Sequence, residues 1–490
     1  MAPDTPGGPR ATPAPDRDLA AAASYVADWQ AFQDELPAGE PAALRALRRA
    51  AIERFAALGF PTTRQEEWRF TNVTPLARTA FRRAAPAADG RARLTAADLA
   101  PWTFAAAVRL VFVDGHFTPE LSMLGDPGTA SSDTAGSGIV VESLAAALAR
   151  DPERVTAHLG RHTPPSEQPF VALNTAFLRD GACVLIPRHV ALDRPIHLLY
   201  LSTSSPSPLG SAAPPPPSPH GTPPDGALLP IVSYPRNLIV AGEGSTVTVV
   251  ETYAGEGVYF SCGVTELSAE PGATIDHYKV QRESRDAFHL ATLQVYGERA
   301  SVISSHSISI GGGLVRNDVN ALLDGEGIDC ILNGLYLADG RQLVDNHMRV
   351  EHAKPHCASH ELYKGILDGR ARSVFNGLIH VHPGAQKTDA KQSNRNLLLS
   401  PDAIANSNPR LEIFADDVRC THGSTVGQLD DDAVFYLRSR GIGEAAARSL
   451  LTYAFASDIL ARIKVDAVRH DLEEYLFARL PQGEVVRQAV

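Results

Sequence analysis

The sequence predicts a mainly β chain whose core is a parallel β-helix, or solenoid, with α-helical regions at both ends. Three observations predict it. First, Gly244-Ser245-Thr246-Val247-Thr248-Val249 resembles Gly272-Ala273-Thr274-Ile275-Asp276-His277, then Ala300-Ser301-Val302-Ile303-Ser304-Ser305, and more faintly Gly327-Ile328-Asp329-Cys330-Ile331-Leu332. The offsets are about 28 residues, in the range of stacked supersecondary units. Second, each run alternates small or apolar residues with polar ones, as a strand with one buried face does. Third, helical signals are nearly absent between Phe170 and Arg440, which disfavours βαβ units. A β-sandwich is the alternative architecture for the same strands.

The elements follow in order. Residues 1–16, rich in Pro, Ala and Gly, read as a disordered tail. Residues 17–100 form an N-terminal helical region. In it, Leu19 to Leu58 carries apolar residues at helical spacing, stopped by Gly59 and Pro61. The polar stretch Pro61 to Phe70, with its two aromatics, is placed to cap the next unit. Residues 101–440 form the β-helix core, opened by Val108-Arg109-Leu110-Val111-Phe112-Val113. Helical signals return briefly between Val141 and His162. A Pro/Ser/Gly stretch at about 202–230 contains Pro214 to Pro217. It cannot pair in a sheet and buries almost nothing, so it reads as a disordered surface insertion between the strands Ile196 to Leu201 and Arg236 to Val240. Residues 441–490 form a C-terminal helical region: one helix from Glu444 towards Ile463, another from Val465 to Leu480. Those helices are expected to seal one end of the solenoid.

Composition narrows the function classes. With 490 residues and 44% apolar content, the chain can bury a sizeable core. A formal charge of −11 argues against nucleic acid or an anionic membrane as partner. Cys183, Cys262, Cys330, Cys357 and Cys420 are few and scattered. They form no disulfide framework and fit a reducing cytoplasm. The N-terminus lacks the apolar core of a secretory signal, and no run approaches the length of a membrane span. No GxxxxGK[ST] loop is present, so the chain carries no ATP site of the P-loop kind.

Three segments carry candidate chemistry. In Asp416-Asp417-Val418-Arg419-Cys420-Thr421-His422-Gly423, a thiol and an imidazole stand two residues apart after the strand-like Leu411-Glu412-Ile413-Phe414. On a strand, Cys420 and His422 leave the same face and Arg419 the other. Thiolate plus imidazole suits iron, iron–sulfur fragments, zinc or copper(I). Two ligands do not close a tetrahedral site, so the remainder must come from elsewhere in the fold or from another chain. A buried apolar Cys with a hydrogen-bonded His is the plainer account of the same residues. Asp416 and Asp417 also allow a Cys/His/Asp nucleophile. The second segment, His347 to His360, holds four His and Cys357. Strand alternation and Pro355 spread the rings over different faces, so a set of satisfied histidines is expected. In the third, His380 and His382 share a strand face, where stacking between rungs is the expected role.

The order of motifs resembles the SufB/SufD family, iron–sulfur cluster assembly proteins of the SUF system. The resemblance rests on Glu66-Glu67-Trp68-Arg69-Phe70-Thr71, Arg316-Asn317-Asp318, Leu362-Tyr363-Lys364-Gly365, Phe375-Asn376-Gly377, Ala385 to Ala390, Asn394 to Ser400, Leu411-Glu412-Ile413, the Cys420 segment and Phe435 to Ile442. It covers most of the chain apart from the tail and the insertion. The Cys-x-His-Gly-[AS]-Thr-Val-Gly form is that of the SufD branch. SufB paralogues usually carry Glu where Gly423 stands. The resemblance implies a right-handed parallel β-helix core and a non-catalytic scaffold subunit acting in cluster assembly or iron acquisition. It implies pairing with a SufB-like paralogue through the core, and docking of a SufC-like ABC ATPase on the C-terminal helices. In isolation a homodimer is the implied alternative. It carries over Cys420 and His422 as metal ligands, for iron or a transient iron–sulfur cluster at an inter-subunit site. Arg419 faces away from Cys420 and would favour its thiolate only by lying close enough to it. The rival readings are a secreted-type β-helix polysaccharide lyase and the paralogous SufB role.

Overall fold

The period of the core is set at its corners. Gly244, Gly272, Ala300, Gly327, His356 and Lys387 all take left-handed conformations, with φ of 61°, 68°, 58°, 74°, 61° and 63°. Each donates its N–H to a carbonyl one rung further on: Gly244 to Pro271 at 2.9 Å, Gly272 to Arg299 at 2.9 Å, Ala300 to Glu326 at 2.8 Å and His356 to Gln386 at 2.9 Å. The corners therefore stack as a column. Glycine reaches this conformation freely, whereas a residue with a side chain gives up about 1–2 kcal/mol there. The computed structural model describes residues 16–37, 39–84, 94–125, 138–164, 168–203 and 229–490. The predicted tail and the proline-rich insertion lie almost wholly outside them.

Between corners the chain runs out along one sheet and back along the other. The first sheet contains Ala182–Ile186, Arg236–Ala241, Tyr259–Ala269, Phe288–Gly297, Leu314–Leu323, Leu343–His352, Arg372–Val381 and Ile404–Ile413. The second contains Val108–Val113, Ile196–Thr203, Thr246–Glu256, Thr274–Arg282, Val302–Ser309, Asp329–Ala338, Ala358–Leu367, Asp389–Leu398 and Arg419–Gly427. Neighbours in each list pair in parallel, apart from two antiparallel strands at the first end. His116–Phe117 folds back on Val108–Val113, and Val140–Ser143 on Ala182–Ile186. The core is thus the expected mainly β solenoid, not a sandwich. Its lumen is packed by inward residues such as Ile239, Val247, Ile275, Val295, Ile303, Val344 and Phe375.

Helices cover the flanks. Asp16–Asp34 and Ala42–Leu58 pack with Pro169–Ala176 outside the first sheet, where Trp29, Phe32, Phe55 and Phe170 meet Tyr234, Phe260 and Leu290. Glu66–Thr71 lies across the same sheet as a strap. The Arg316 guanidinium sits 3.8 Å over the Trp68 ring and donates to the Glu67 carbonyl at 2.8 Å and to Asp345 at 2.8 Å.

Three sequence expectations need correction. Pro169–Ala176 is a helix where β-type runs were expected, because all its residues from Phe170 on are buried and it shows no amphipathic period. The region from Val141 begins as a strand, Val140–Ser143, before the helices Leu144–Arg150 and Pro152–Thr156. The C-terminal helices do not seal the solenoid end. They begin at Asp431, capped by the Asp430 carboxylate. Then Glu444–Leu460 and Asp466–Arg479 lie along the second sheet, with Tyr453, Ile459, Leu460, Leu472 and Leu476 on the outward Val280, Ile308, Leu335, Ile366 and Leu397. No helix among the described residues covers the last rung. No helix among the described residues is long and apolar enough to cross a membrane.

Candidate functional site

Cys420 and His422 stand on that last rung. Their strand, Arg419–Gly427, pairs on one side only, with Cys420 opposite Ala390 and His422 opposite Gln392. Ala390, Gln392, Asn394 and Asn396 are the inward, buried positions of the strand beneath. By register, Cys420, His422, Ser424 and Val426 stand over them as the final layer of the lumen. Cys420 is half-buried against Ile379, Val381, Ala385 and Ala390, whereas His422 is exposed. The two side chains therefore share one face, as the spacing predicts, and that face opens outward at the end of the solenoid.

The surroundings do not activate the thiol within this chain. Burial pushes the Cys420 thiol upward and the nearby Asp389 carboxylate adds to it, against a backbone hydrogen bond involving Ala390. Burial and Asp389, not Arg419, set the direction. Asp417 forms an ion pair with Lys387, and its N–H donates to the Gln386 side chain at 2.9 Å. No carboxylate among the described residues orients His422, so a Cys/His/Asp nucleophile is not assembled. No three side chains of the metal-ligating types converge among the described residues either. Cys420 and His422 therefore make no complete metal site among the described residues.

Sequence reasoning missed what lies behind it. Glu361, Gln392 and His422 occupy one register column. The Gln392 amide donates to Glu361 at 2.9 Å, and burial pushes the Glu361 carboxyl up to about 7 against that bond. A polar file thus runs from the lumen to the open rung. Its signal in sequence is alternation at spacings of 31 and 30 residues, irregular enough to hide. Further back, Glu251 accepts from Thr265 at 2.7 Å and from Tyr253 at 2.8 Å and pairs with His277 at 3.1 Å, and burial pushes the Lys279 amine down to about 8.

The His347–His360 tract disperses as expected. His347 faces Asp345 and Glu67 under the strap, at 3.0 and 3.1 Å. Burial opposes its charge, but Asp345 and Glu67 hold its pKa at about 9. His352 is buried on Ser359 at 2.8 Å and pushed down to about 4 by burial. His356 and His360 are exposed, and Cys357 is buried with its thiol on the Gly325 carbonyl at 3.0 Å. His380 and His382 do share a face, outside the first sheet, with ring centroids 4.8 Å apart.

The open rung is also apolar at its rim. Ile404, Ile413, Phe414 and Val426 are exposed large hydrophobics, as are Phe435 and Tyr436 on the adjoining helix Asp431–Ser439. Two bare parallel strand edges beside such a rim form a template for further strands.

This β-solenoid with helical flanks is that of an iron–sulfur cluster assembly protein, and the chain belongs to the SufBD family. Its residues 226–455 match the family model for the SUF system FeS cluster assembly SufBD core domain, and residues 19–198 match that for the SufBD N-terminal region. It is 34% identical to an iron–sulfur cluster assembly SufBD family protein of Synechocystis, over 88% of this chain and 90% of the relative. It is 29% identical to the iron–sulfur cluster assembly protein SufD of Escherichia coli, over 88% and 92%, and 26% identical to SufD of Bacillus subtilis, over 62% and 65%. These relatives make the chain a subunit of the SUF iron–sulfur cluster assembly machinery and give the polysaccharide-lyase reading no support.

Proposed function

We propose that this chain is the SufD-like scaffold subunit of a cytoplasmic SUF complex, without turnover of its own. Cys420 and His422 supply part of a ligand set for iron or a nascent cluster, which is the cargo of the complex. A SufB-like paralogue supplies the rest by continuing both sheets beyond Ile404–Ile413 and Arg419–Gly427. A SufC-like ATPase docks on the C-terminal helices, where Phe435 and Tyr436 stand exposed, and provides the nucleotide chemistry. The observation that carries the reading is the outward-opening thiol–imidazole pair on a last strand that pairs on one side only.

The physics of release supports a divided site. A scaffold must give up its cluster, and ligands split across an interface open when the subunits move. The raised Cys420 thiol fits this arrangement, because it stays protonated until a metal or a neighbouring cation draws the proton off. In a complex co-expressed with its partners, His422→Ala is expected to lower cluster yield with complex formation intact. Unchanged iron and sulfide content in that variant would remove the ligand role. Recovery of this chain with a distinct SufB-like chain and an ATPase tests the partners.

A further inference from the structure

We infer that His380 and His382 form a chelating site for a divalent first-row transition ion, on the outer face of the first sheet and separate from Cys420. The two rings leave one face of the strand Arg372–Val381 and its continuation, with the inward Val381 between them fully buried. They stand edge to face with centroids 4.8 Å apart. An imidazole nitrogen ~2.1 Å from a metal puts its ring centre ~3.2 Å away, so two rings on one ion at square or tetrahedral angles lie ~4.5–5.2 Å apart. The observed centroid separation satisfies that distance condition.

The outer partners complete the argument. One nitrogen of each ring is already on a carboxylate: His380 Nδ1 on Glu412 at 3.0 Å, and His382 Nε2 on Glu351 at 3.2 Å. The other nitrogen of each ring makes no hydrogen bond within the described residues. Metal-bound histidines characteristically hand their second nitrogen to a carboxylate, which fixes the ring and strengthens the donor. By register His380 lies between Glu351 and Glu412, and Arg349 pairs with Glu351 at 2.7 Å. Two carboxylates against one guanidinium leave the patch favourable to a cation. Phe414 lies 5.3 Å from the His380 ring and covers one side. With two nitrogens from the protein, the remaining positions fall to water, and imidazole donors select zinc, nickel or copper(II) over magnesium or calcium.

The test uses the full chain, titrated with Zn²⁺ by calorimetry and with Cu²⁺ by EPR. The wild type is expected to take up one more equivalent than His380→Gln/His382→Gln, with nitrogen superhyperfine structure from two imidazoles. Either single substitution should weaken that equivalent tenfold or more, and Glu412→Gln roughly tenfold, through the ring it orients. Cys420→Ser/His422→Ala should leave it unchanged, which separates this site from the proposed cluster ligands. An equal stoichiometry in the folded double-His variant, verified by circular dichroism, would overturn the inference. So would loss of the equivalent in Cys420→Ser/His422→Ala.

Discussion

The two ends of the solenoid are built on opposite plans. At the first end the outermost strands turn back antiparallel over a buried rung: Phe112, on the strand beneath one of them, is 1% exposed and stacks 4.9 Å from Tyr200. At the last end both sheets stop on a parallel strand with no further strand beyond it among the described residues, the rim is apolar, and the inward positions of the final strand are Cys420, His422, Ser424 and Val426. An antiparallel return closes an edge within one chain, whereas a parallel rung left bare is a place where a second chain can add strands. Burial is greatest at the first end, and the proposed assembly rests on the bare edge at the last.

That contrast can be broken by mutation. Phe112→Ala at the closed end is expected to cost about 3–5 kcal/mol in denaturant unfolding. A similar loss from Val426→Ala would erase the contrast. A smaller effect sharpens the account of the strap, which ties the N-terminal region to the middle rungs. His347 is raised to about 9, so its stabilising contribution is whole below about 6.5 and is lost as pH rises through 9. The urea midpoint should fall across that window by an amount equivalent to about 3 kcal/mol, and His347→Gln should flatten the profile.

The buried carboxyl behind the open rung has a comparable or smaller effect. Glu361 is raised to about 7, so folding favours its neutral form. Its contribution is most favourable below about 4.5 and is lost as pH rises through 7. Glu361→Gln is therefore expected to be about 1–3 kcal/mol more stable than wild type at pH 8 and nearly equal to it at pH 4. A variant less stable at pH 8 would contradict the sign. The smallest stability effect belongs to the proposed ligands and rim: His422→Ala and Val426→Ala should each shift unfolding by less than about 0.5 kcal/mol, because both residues are exposed.

How much of this was legible follows from particular residues. The repeat was readable where Gly244, Gly272 and Gly327 mark left-handed corners, with Ala300 in register between them. It faded where His356 and Lys387 hold the same conformation, since neither residue type announces it. The helix Pro169–Ala176 was hidden because a fully buried helix shows no stripe. The C-terminal helices were visible as helices, but an apolar stripe does not say which surface it covers, and the flank was mistaken for the end. Cys420 and His422 were legible because a strand puts i and i+2 on one side. Glu361 and Gln392 were not, because register across rungs of unequal length exists only in the fold. The bond between Arg316 and the Trp68 strap joins residues far apart in the chain, and nothing local links them.

The central claim is that the thiol–imidazole pair is half a site which a second chain must complete. The direct measurement is anaerobic reconstitution with iron and sulfide, followed by Mössbauer spectroscopy, of this chain alone and of its complex with a SufB-like paralogue. The account predicts no stoichiometric cluster on the isolated chain, one per heteromeric pair, and its loss in Cys420→Ser/His422→Ala with the complex intact. A full cluster on the isolated chain, or one on the complex that survives the double substitution, would contradict it.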